Sequence, residues 1–325
     1  MVKRGKILPI FGEGHKWGGG SPQARRRGLG ASVDTPPSAA TPLPPPHLRY
    51  AKIGRILPPL LLLAACVPVA PQQAGPGVPT IVSLNPCTDA IVAEVADPRQ
   101  ILAISAYSHD PASSSMDLAT ARRFAAVSGT VEEVLALGPD LVIGSTFTPP
   151  ASRQAMDRLG LRFEPFGLAA TVAESEAQIR RIAALVGHPE RGEALIVRIE
   201  ATLAANRAPP GPAIPALVWQ SGGMVPGEGT LIADLLRRTG FVNAAAARGL
   251  GQADLLPLEQ VLADPPRLIL TASHGAGNED RLLAHPALAQ LTATRRERLD
   301  PSLLWCGGPT IIRAAERLGT VRRAL

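Results

Sequence analysis

Val131-Glu-Glu-Val-Leu-Ala-Leu-Gly-Pro-Asp-Leu-Val-Ile143 returns 127 residues later as Leu258-Glu-Gln-Val-Leu-Ala-Asp-Pro-Pro-Arg-Leu-Ile-Leu270. Glu132 falls on Glu259, Val134 on Val261 and Pro139 on Pro266. Each copy reads as an acidic start, a short helix, a proline break and an apolar strand. Solenoid repeats have periods of roughly 20–50 residues, so this spacing excludes one. It predicts two similar α/β lobes with a cleft between them.

Outward from that phrase, the chain alternates short strands and helices. Thr80–Leu84 is expected as the first strand and Ile101–Ser105 as the second, with a helix between them capped by Thr88 or Asp89. Thr130 and Glu133 have the spacing of a capping box ahead of the helix and strand in 131–145. Ala151–Gly160 and Leu161–Phe166 add a helix and a strand. Repeated βα units of this length imply mainly parallel sheets covered by helices. Residues 171–207 read as helical. Thr171 and Glu174 open one helix to about Val186, Gly187-His188-Pro189 stops it, and a second runs to about Asn206 as a stiff bridge. Ala216–Gln220 opens the second lobe; helices are expected at Leu231–Arg238 and Ile311–Leu318. The Gly-rich stretch Gly222–Thr230 lacks the Gly-Lys-Ser/Thr ending of a phosphate-binding P-loop and reads as a rim loop or an anion nest.

The first 65 residues read differently from the rest. Residues 1–47 carry triple glycine, arginine and proline runs without apolar periodicity, as expected of a disordered extension, or of sequence upstream of the true start. Residues 48–66 combine Arg49, Lys52 and Arg55 with the apolar run Ile56–Ala65 and then Cys66, the pattern of a secretion signal. The run is shorter than the roughly 20 residues of a membrane-spanning helix. Leu63-Ala64-Ala65-Cys66 resembles a bacterial lipobox, which makes Cys66 the expected lipidation site; an ordinary signal peptide with a chance cysteine is the alternative. Residues 67–79 read as a tether, 80–170 as the first lobe and 213–325 as the second.

This division corrects the charge. The full chain carries +6, but residues 1–65 hold ten basic side chains against Glu13 and Asp34. The remaining 23 arginines face 25 carboxylates, a net of −2, which disfavours nucleic acid as a partner. Two thiols remain after Cys66. Cys87 and Cys306, one per lobe, invite a disulfide in an oxidising compartment; unpaired buried cysteines and a Cys87 nucleophile beside His109 are the alternatives.

The order strand, loop, helix, followed by Gly129-Thr-Val-Glu132-Glu-Val-Leu-Ala-Leu-Gly138-Pro139-Asp140-Leu-Val-Ile143, resembles the periplasmic binding proteins for ferric siderophores, haem and vitamin B12. Gly138 stands where that pattern usually has Lys or Arg. The similarity runs over about residues 80–323. It implies an α/β fold of two similar lobes with mainly parallel central sheets, joined by a long rigid helix. It also implies a monomer that performs no chemistry, has no cofactor and delivers a cobalt or iron chelate, a corrinoid or a ferric siderophore, to an ABC importer. Glu132 and Glu259 would then dock onto the two membrane subunits; favourable placement in the first turn of a helix is their structural alternative. The implied location is periplasmic, with the lipid on Cys66 as the only hold on a membrane.

Ligand contacts are expected on loops at strand ends facing the cleft. In the first lobe these are Asn85, Pro86, Cys87, Tyr107, Ser108, His109, Asp110 and Phe147; in the second, Trp219, Gln220, His274, Trp305 and Cys306. Aromatic residues make up only 3% of the chain, so their recurrence at strand ends favours a flat, partly apolar ligand. His109 and His274, with Asp110, are candidates for a bare divalent metal, and a receptor for free zinc or manganese is the second reading. A secreted two-lobed enzyme is the third, opposed by the lack of a recognisable Ser/His/Asp or paired-carboxylate spacing.

Overall fold

A computed structural model describes residues 77–208, 210–273 and 281–325; Cys66 and His274 lie outside them. The first lobe begins with β1 (Ile81–Ser83), α1 (Pro86–Val95), β2 (Ile101–Ser105), α2 (Leu118–Ala121) and β3 (Ala126–Val127). It continues with α3 (Val131–Leu137), β4 (Leu141–Ser145), α4 (Pro150–Arg158) and β5 (Phe163–Phe166). Its five strands lie in the order β3-β2-β1-β4-β5, all pairs parallel. Next come α5 (Val172–Leu185) and α6 (Pro189–Ala205), then β6 (Ile214–Gln220), β7 (Met224–Val225), α7 (Leu231–Arg238) and β8 (Phe241–Asn243). The chain ends with β9 (Asp254–Leu255), α8 (Leu258–Ala263), β10 (Leu268–Ala272), β11 (Arg295–Arg298) and α9 (Thr310–Arg323). The second sheet runs β11-β10-β6-β8, again parallel, with β7 and β9 forming a small antiparallel pair beside it.

Both faces of each sheet are buried, the condition that parallel sheets require. Along β1 and β4, Ile81, Leu141 and Ile143 face a central cluster, while Val82 and Val142 join an outer one with Val134 and Met156. The second lobe repeats the division. Ala216, Val218, Leu268 and Leu270 face the central cluster, and Leu217, Trp219 and Ile269 face an outer one with Val261. Val134 and Val261, equivalent in the repeated phrase, are both fully buried in their outer clusters. The repeat is therefore a packing unit: a short helix that seats one valine on the outer face of a parallel sheet.

The inner faces do not have separate cores. One continuous apolar cluster takes in Ile91 and Val95 of α1, Ile179 and Ile182 of α5, Leu195 and Ile199 of α6, Leu235 of α7, and Ile311 and Leu318 of α9. The bridge within it is a packed helix pair. Arg180 of α5 reaches Glu193 of α6 at 2.8 Å, and Gly192 lies so close to α5 that a Cβ there would sit 2.6 Å from the Ala183 side chain. At 17 residues, α6 is about 25 Å long.

Covalent and polar ties cross the same junction. Cys87, in the first turn of α1, is bonded to Cys306, in the loop before α9, with an S–S distance of 2.07 Å. After Cys306 the chain is wedged in. A Cβ on Gly307 would lie 2.3 Å from Ser175 Oγ of α5, and one on Gly308 would lie 2.5 Å from Ile91 of α1. The Gly308 N–H donates to Ser175 Oγ at 2.8 Å. Ser115 of the first lobe donates to Pro86 O at 2.6 Å and accepts, through its carbonyl, from Thr310 Oγ1 at 3.1 Å and from Arg313.

The disulfide closes a loop with a sequence separation of 219. On the chain-entropy account, a loop of that size is worth about 5 kcal/mol. Denaturant unfolding of the oxidised protein against Cys87→Ala with Cys306→Ala is expected to show a loss of that order. A midpoint unchanged by the double substitution would contradict it.

Candidate functional site

Parallel strands end on one side of their sheet, and the loops that leave them form the rim of each lobe. On the first lobe the loop after β2 is a tight turn, Ala106–His109. Ser105 caps it by accepting from the Tyr107 N–H at 3.2 Å. Ser108 is fully buried and donates to Asp89 Oδ2 at 2.6 Å. His109 Nε2 lies 3.1 Å from the Ala121 carbonyl, and donation to that oxygen sets the tautomer with the proton on Nε2. Asp110 accepts from the Ala112 N–H at 3.1 Å and from Ser113 Oγ at 2.8 Å. The Tyr107 side chain points outward, with 62% of its surface exposed.

Phe147 after β4 is 74% exposed, Leu168 after β5 52%, and Trp305 in the loop before α9 39%. Trp305 and Leu168 both line a pocket of about 140 Å³, together with Ala169, Thr230, Leu231 and Gln252. This pocket takes its walls from both lobes. A wider one, about 560 Å³, is lined by Pro111 of the first lobe and by Ser273, Arg298, Asp300, Leu303 and Arg317 of the second.

Several expected ligand residues have partners within the framework. Asn85 is the N-cap of α1, its Oδ1 accepting from the Cys87 N–H at 2.8 Å, and Pro86 occupies the first helical position. The helix therefore starts ahead of Thr88 and Asp89, the caps expected from the sequence. Cys87 and Cys306 are joined, which leaves neither thiol for a ligand or for nucleophilic chemistry. Ser108 faces inward, and His109 is engaged with Ala121. Trp219 is completely buried, and its indole N–H donates to Leu256 O at 3.2 Å. It stands two residues from Leu217 on β6, on the face turned to the outer cluster. Gln220 is half-buried, and its Nε2 is enclosed without a hydrogen-bond partner. Sequence reasoning missed Leu168, which the strand-end rule would have found after β5. It also missed Arg298 and Arg317, which carry no apolar signal. Among the described residues no three His, Cys, Asp or Glu side chains converge as metal ligands would.

Asp89 is the electrostatic centre of the first rim. Its Oδ2 accepts from the Ser105 N–H at 3.1 Å as well as from Ser108, while Oδ1 is buried without a partner. Burial pushes its carboxyl up to about 7; the Ser108 and Ser83 hydroxyls and the backbone of Ser105 and Asn85 pull the other way.

Glu132 and Glu259 occupy the second position of α3 and α8 respectively, and both are exposed. Neither makes an ion pair or hydrogen bond among the described residues. Their neighbour Glu133 is held: its Oε2 accepts from the Ser128 N–H at 2.8 Å and from Ser128 Oγ at 2.7 Å, which keeps its carboxyl below the usual range. Thr130 supplies the other half of the cap by accepting from the Glu133 N–H at 3.3 Å. The glutamate thus reaches back to Ser128, beyond the Thr130 N–H that a capping box would use.

A family model described as "Periplasmic binding protein" matches residues 81–299, two thirds of the chain. The chain belongs to that family. Solved structures with a similar fold include a periplasmic haem-binding protein from Roseiflexus sp. RS-1 in apo form, 26% identical. The match spans 76% of this chain and 99% of that one, with a TM-score of 0.63. A periplasmic haem-binding protein from Pseudomonas aeruginosa is 24% identical over 75% of this chain and 92% of its own, with a TM-score of 0.60. The vitamin B12-binding protein of Vibrio cholerae is 20% identical over 75% and 96%, with a TM-score of 0.56. At these last two identities the likeness is one of fold. No curated protein matches the chain. As a periplasmic binding protein it is a ligand-binding receptor and not an enzyme, and members of the family are receptors for ABC importers. The family sets its place in the periplasm, and no helix among the described residues is long and apolar enough to cross a membrane.

The perturbed acid has a signed consequence. Folded Asp89 keeps its proton up to about pH 7, whereas an unfolded aspartate loses it near 3.8. Its stabilising contribution is therefore complete below 3.8 and is lost as pH rises towards 7. The difference is on the order of 4 kcal/mol. Asp89→Asn cannot ionise, so its stability relative to the wild-type protein is expected to rise by several kcal/mol between pH 4 and pH 8. Parallel pH curves for the two proteins would show that Asp89 titrates normally.

Proposed function

We propose that this protein captures a metal–macrocycle chelate, haem or a corrinoid, at the rim between its lobes and hands it to a two-fold ABC importer. The observation that carries the reading is the placement of Tyr107, Phe147 and Trp305. Exposed aromatic rings are costly to leave in water; Tyr107 and Phe147 stand at strand ends of the first lobe and Trp305 in the loop before α9 of the second. Flat rings suit a flat, partly apolar ligand, with Asp110, Gln220 and the Arg298 side of the wider pocket offering polar contacts. The similar structures of haem- and vitamin B12-binding proteins support the same direction. A ferric siderophore remains within the same class of cargo. A bare-metal receptor is less well supported, because His109 already serves Ala121.

Handover would use Glu132 and Glu259. Both are exposed and, among the described residues, without partners in equivalent first turns, and Glu133 already answers the needs of α3. A membrane partner with two equivalent basic sites would engage one acid per lobe. The lipid on Cys66 is proposed from the Leu63-Ala64-Ala65-Cys66 sequence alone, with residues 67–79 as tether.

Two measurements test this reading. Titration with haemin, cobalamin, ferric hydroxamates, ferric catecholates, Zn²⁺ and Mn²⁺, read by Trp305 fluorescence, is expected to give micromolar or tighter binding of one macrocycle. Tyr107→Ala, Phe147→Ala and Trp305→Ala should each weaken it about tenfold, in line with an aromatic contact. Binding of Zn²⁺ or Mn²⁺ alone would move the assignment to a free-metal receptor. Separately, Glu132→Arg with Glu259→Arg should abolish uptake in cells and leave the Kd unchanged; undiminished uptake would remove the docking assignment.

A further inference from the structure

Tyr107 stands on a turn whose neighbours Ser105, Ser108 and His109 are tied to the protein. Two of the ties end on one carboxylate, Asp89, which accepts from the Ser105 N–H at 3.1 Å and from Ser108 Oγ at 2.6 Å. A third joins His109 to the Ala121 carbonyl at 3.1 Å. The Asp89 side chain comes up from α1 beneath the turn, and it is wholly buried.

We propose that Asp89 is a positioning residue for ligand capture, fixing through Ser105 and Ser108 the turn that presents Tyr107 to the rim. The inference rests on the reading of the exposed aromatics as ligand contacts. A carboxyl enclosed in a core is unfavourable for the fold alone, and an apolar side chain of similar size would pack there at lower cost. One of its oxygens is left without a partner, so the group is not there to complete a hydrogen-bond network for its own sake. Its bonded oxygen does something an apolar residue cannot. It accepts the last N–H of β2 and the hydroxyl of Ser108, the residues on either side of Ala106-Tyr107. The turn's own bonds, Tyr107 N–H to Ser105 Oγ and Asp110 N–H to Tyr107 O, are each 3.2 Å and lie at the rim. Without Asp89, Ser105 and Ser108, which flank them, lose their hydrogen bonds to α1.

The Ser105 amide is a direct reporter. Hydrogen exchange of residues 105–109 and haemin binding would be measured on the exported, oxidised protein and on Asp89→Ala and Asp89→Asn. Loss of this buried acceptor is expected to speed Ser105 exchange by roughly ten- to a hundredfold in Asp89→Ala. Asparagine keeps an acceptor oxygen at the same place, so Asp89→Asn should return Ser105 to within about threefold of the wild-type rate. Haemin affinity should follow, at least tenfold weaker in Asp89→Ala and restored in Asp89→Asn. Should Asp89→Ala fail to fold, Ser108→Ala cuts one tie from the side of the turn and is expected to weaken haemin binding in the same direction. Equal Ser105 exchange in all three proteins would overturn the inference. So would protection lost along the whole of α1, or faster exchange at 105–109 with haemin affinity unchanged. A wild-type protein that takes up neither haemin nor cobalamin would count against the ligand reading, while Ser105 exchange would still decide whether Asp89 holds the turn.

Discussion

The inner faces of two parallel sheets share one apolar cluster, and the helices between them belong to neither lobe alone. Ile91, Ile179, Ile199 and Ile311 come from four helices and lie in the same continuous core. Swinging the lobes widely apart would expose that interior, at about 25 cal/mol for each Å² of apolar surface. The disulfide between Cys87 and Cys306 and the Ser115 bonds to Thr310 and Arg313 cross the same seam. A receptor built this way meets its ligand with small adjustments at the rim, so the shape of the rim before binding matters more than hinge motion.

The rim is accordingly held from below. α1 supports it at three places along its first turns: Asn85 caps the helix, Cys87 ties it to the second lobe, and Asp89 reaches the loop after β2. Tyr107, Phe147 and Leu168 are left exposed above this framework. The acids on α3 and α8 lie on elements that pack against the outer sheet faces, so contacts made there need not disturb the strand ends.

Much of the architecture was legible in the sequence. The repeated phrase located α3, β4, α8 and β10, and β2 and α7 have the bounds read from the sequence, because apolar period and capping residues agree there. Other elements carry no such signal. β11 reads Arg295-Arg-Glu-Arg298 and is a strand only because it pairs with β10 at the sheet edge. Trp219 misled for a related reason: when both faces of a strand are buried, alternation cannot say which side chain looks outward. The start of α1 was readable from Asn85-Pro86, a cap followed by proline at the first helical position, but Thr88 and Asp89 offered equally good capping chemistry. Tyr107 and Phe147 were legible as strand-end aromatics. The burial of Ser108 was not, since it depends on a partner 19 residues earlier.

The bond between Cys87 and Cys306 joins the first helix to the last loop of the chain. A polypeptide made and exported from its N-terminus carries Cys87 across the membrane long before its partner follows. The first sheet can form early, but α9, which fills the shared core, arrives last. The first lobe must therefore wait with part of its apolar face uncovered, the condition in which nascent chains associate wrongly and chaperones are needed. Formation of the disulfide takes seconds or longer and depends on an oxidant. It would make completion of the fold a step that follows translocation and depends on the redox state of the compartment.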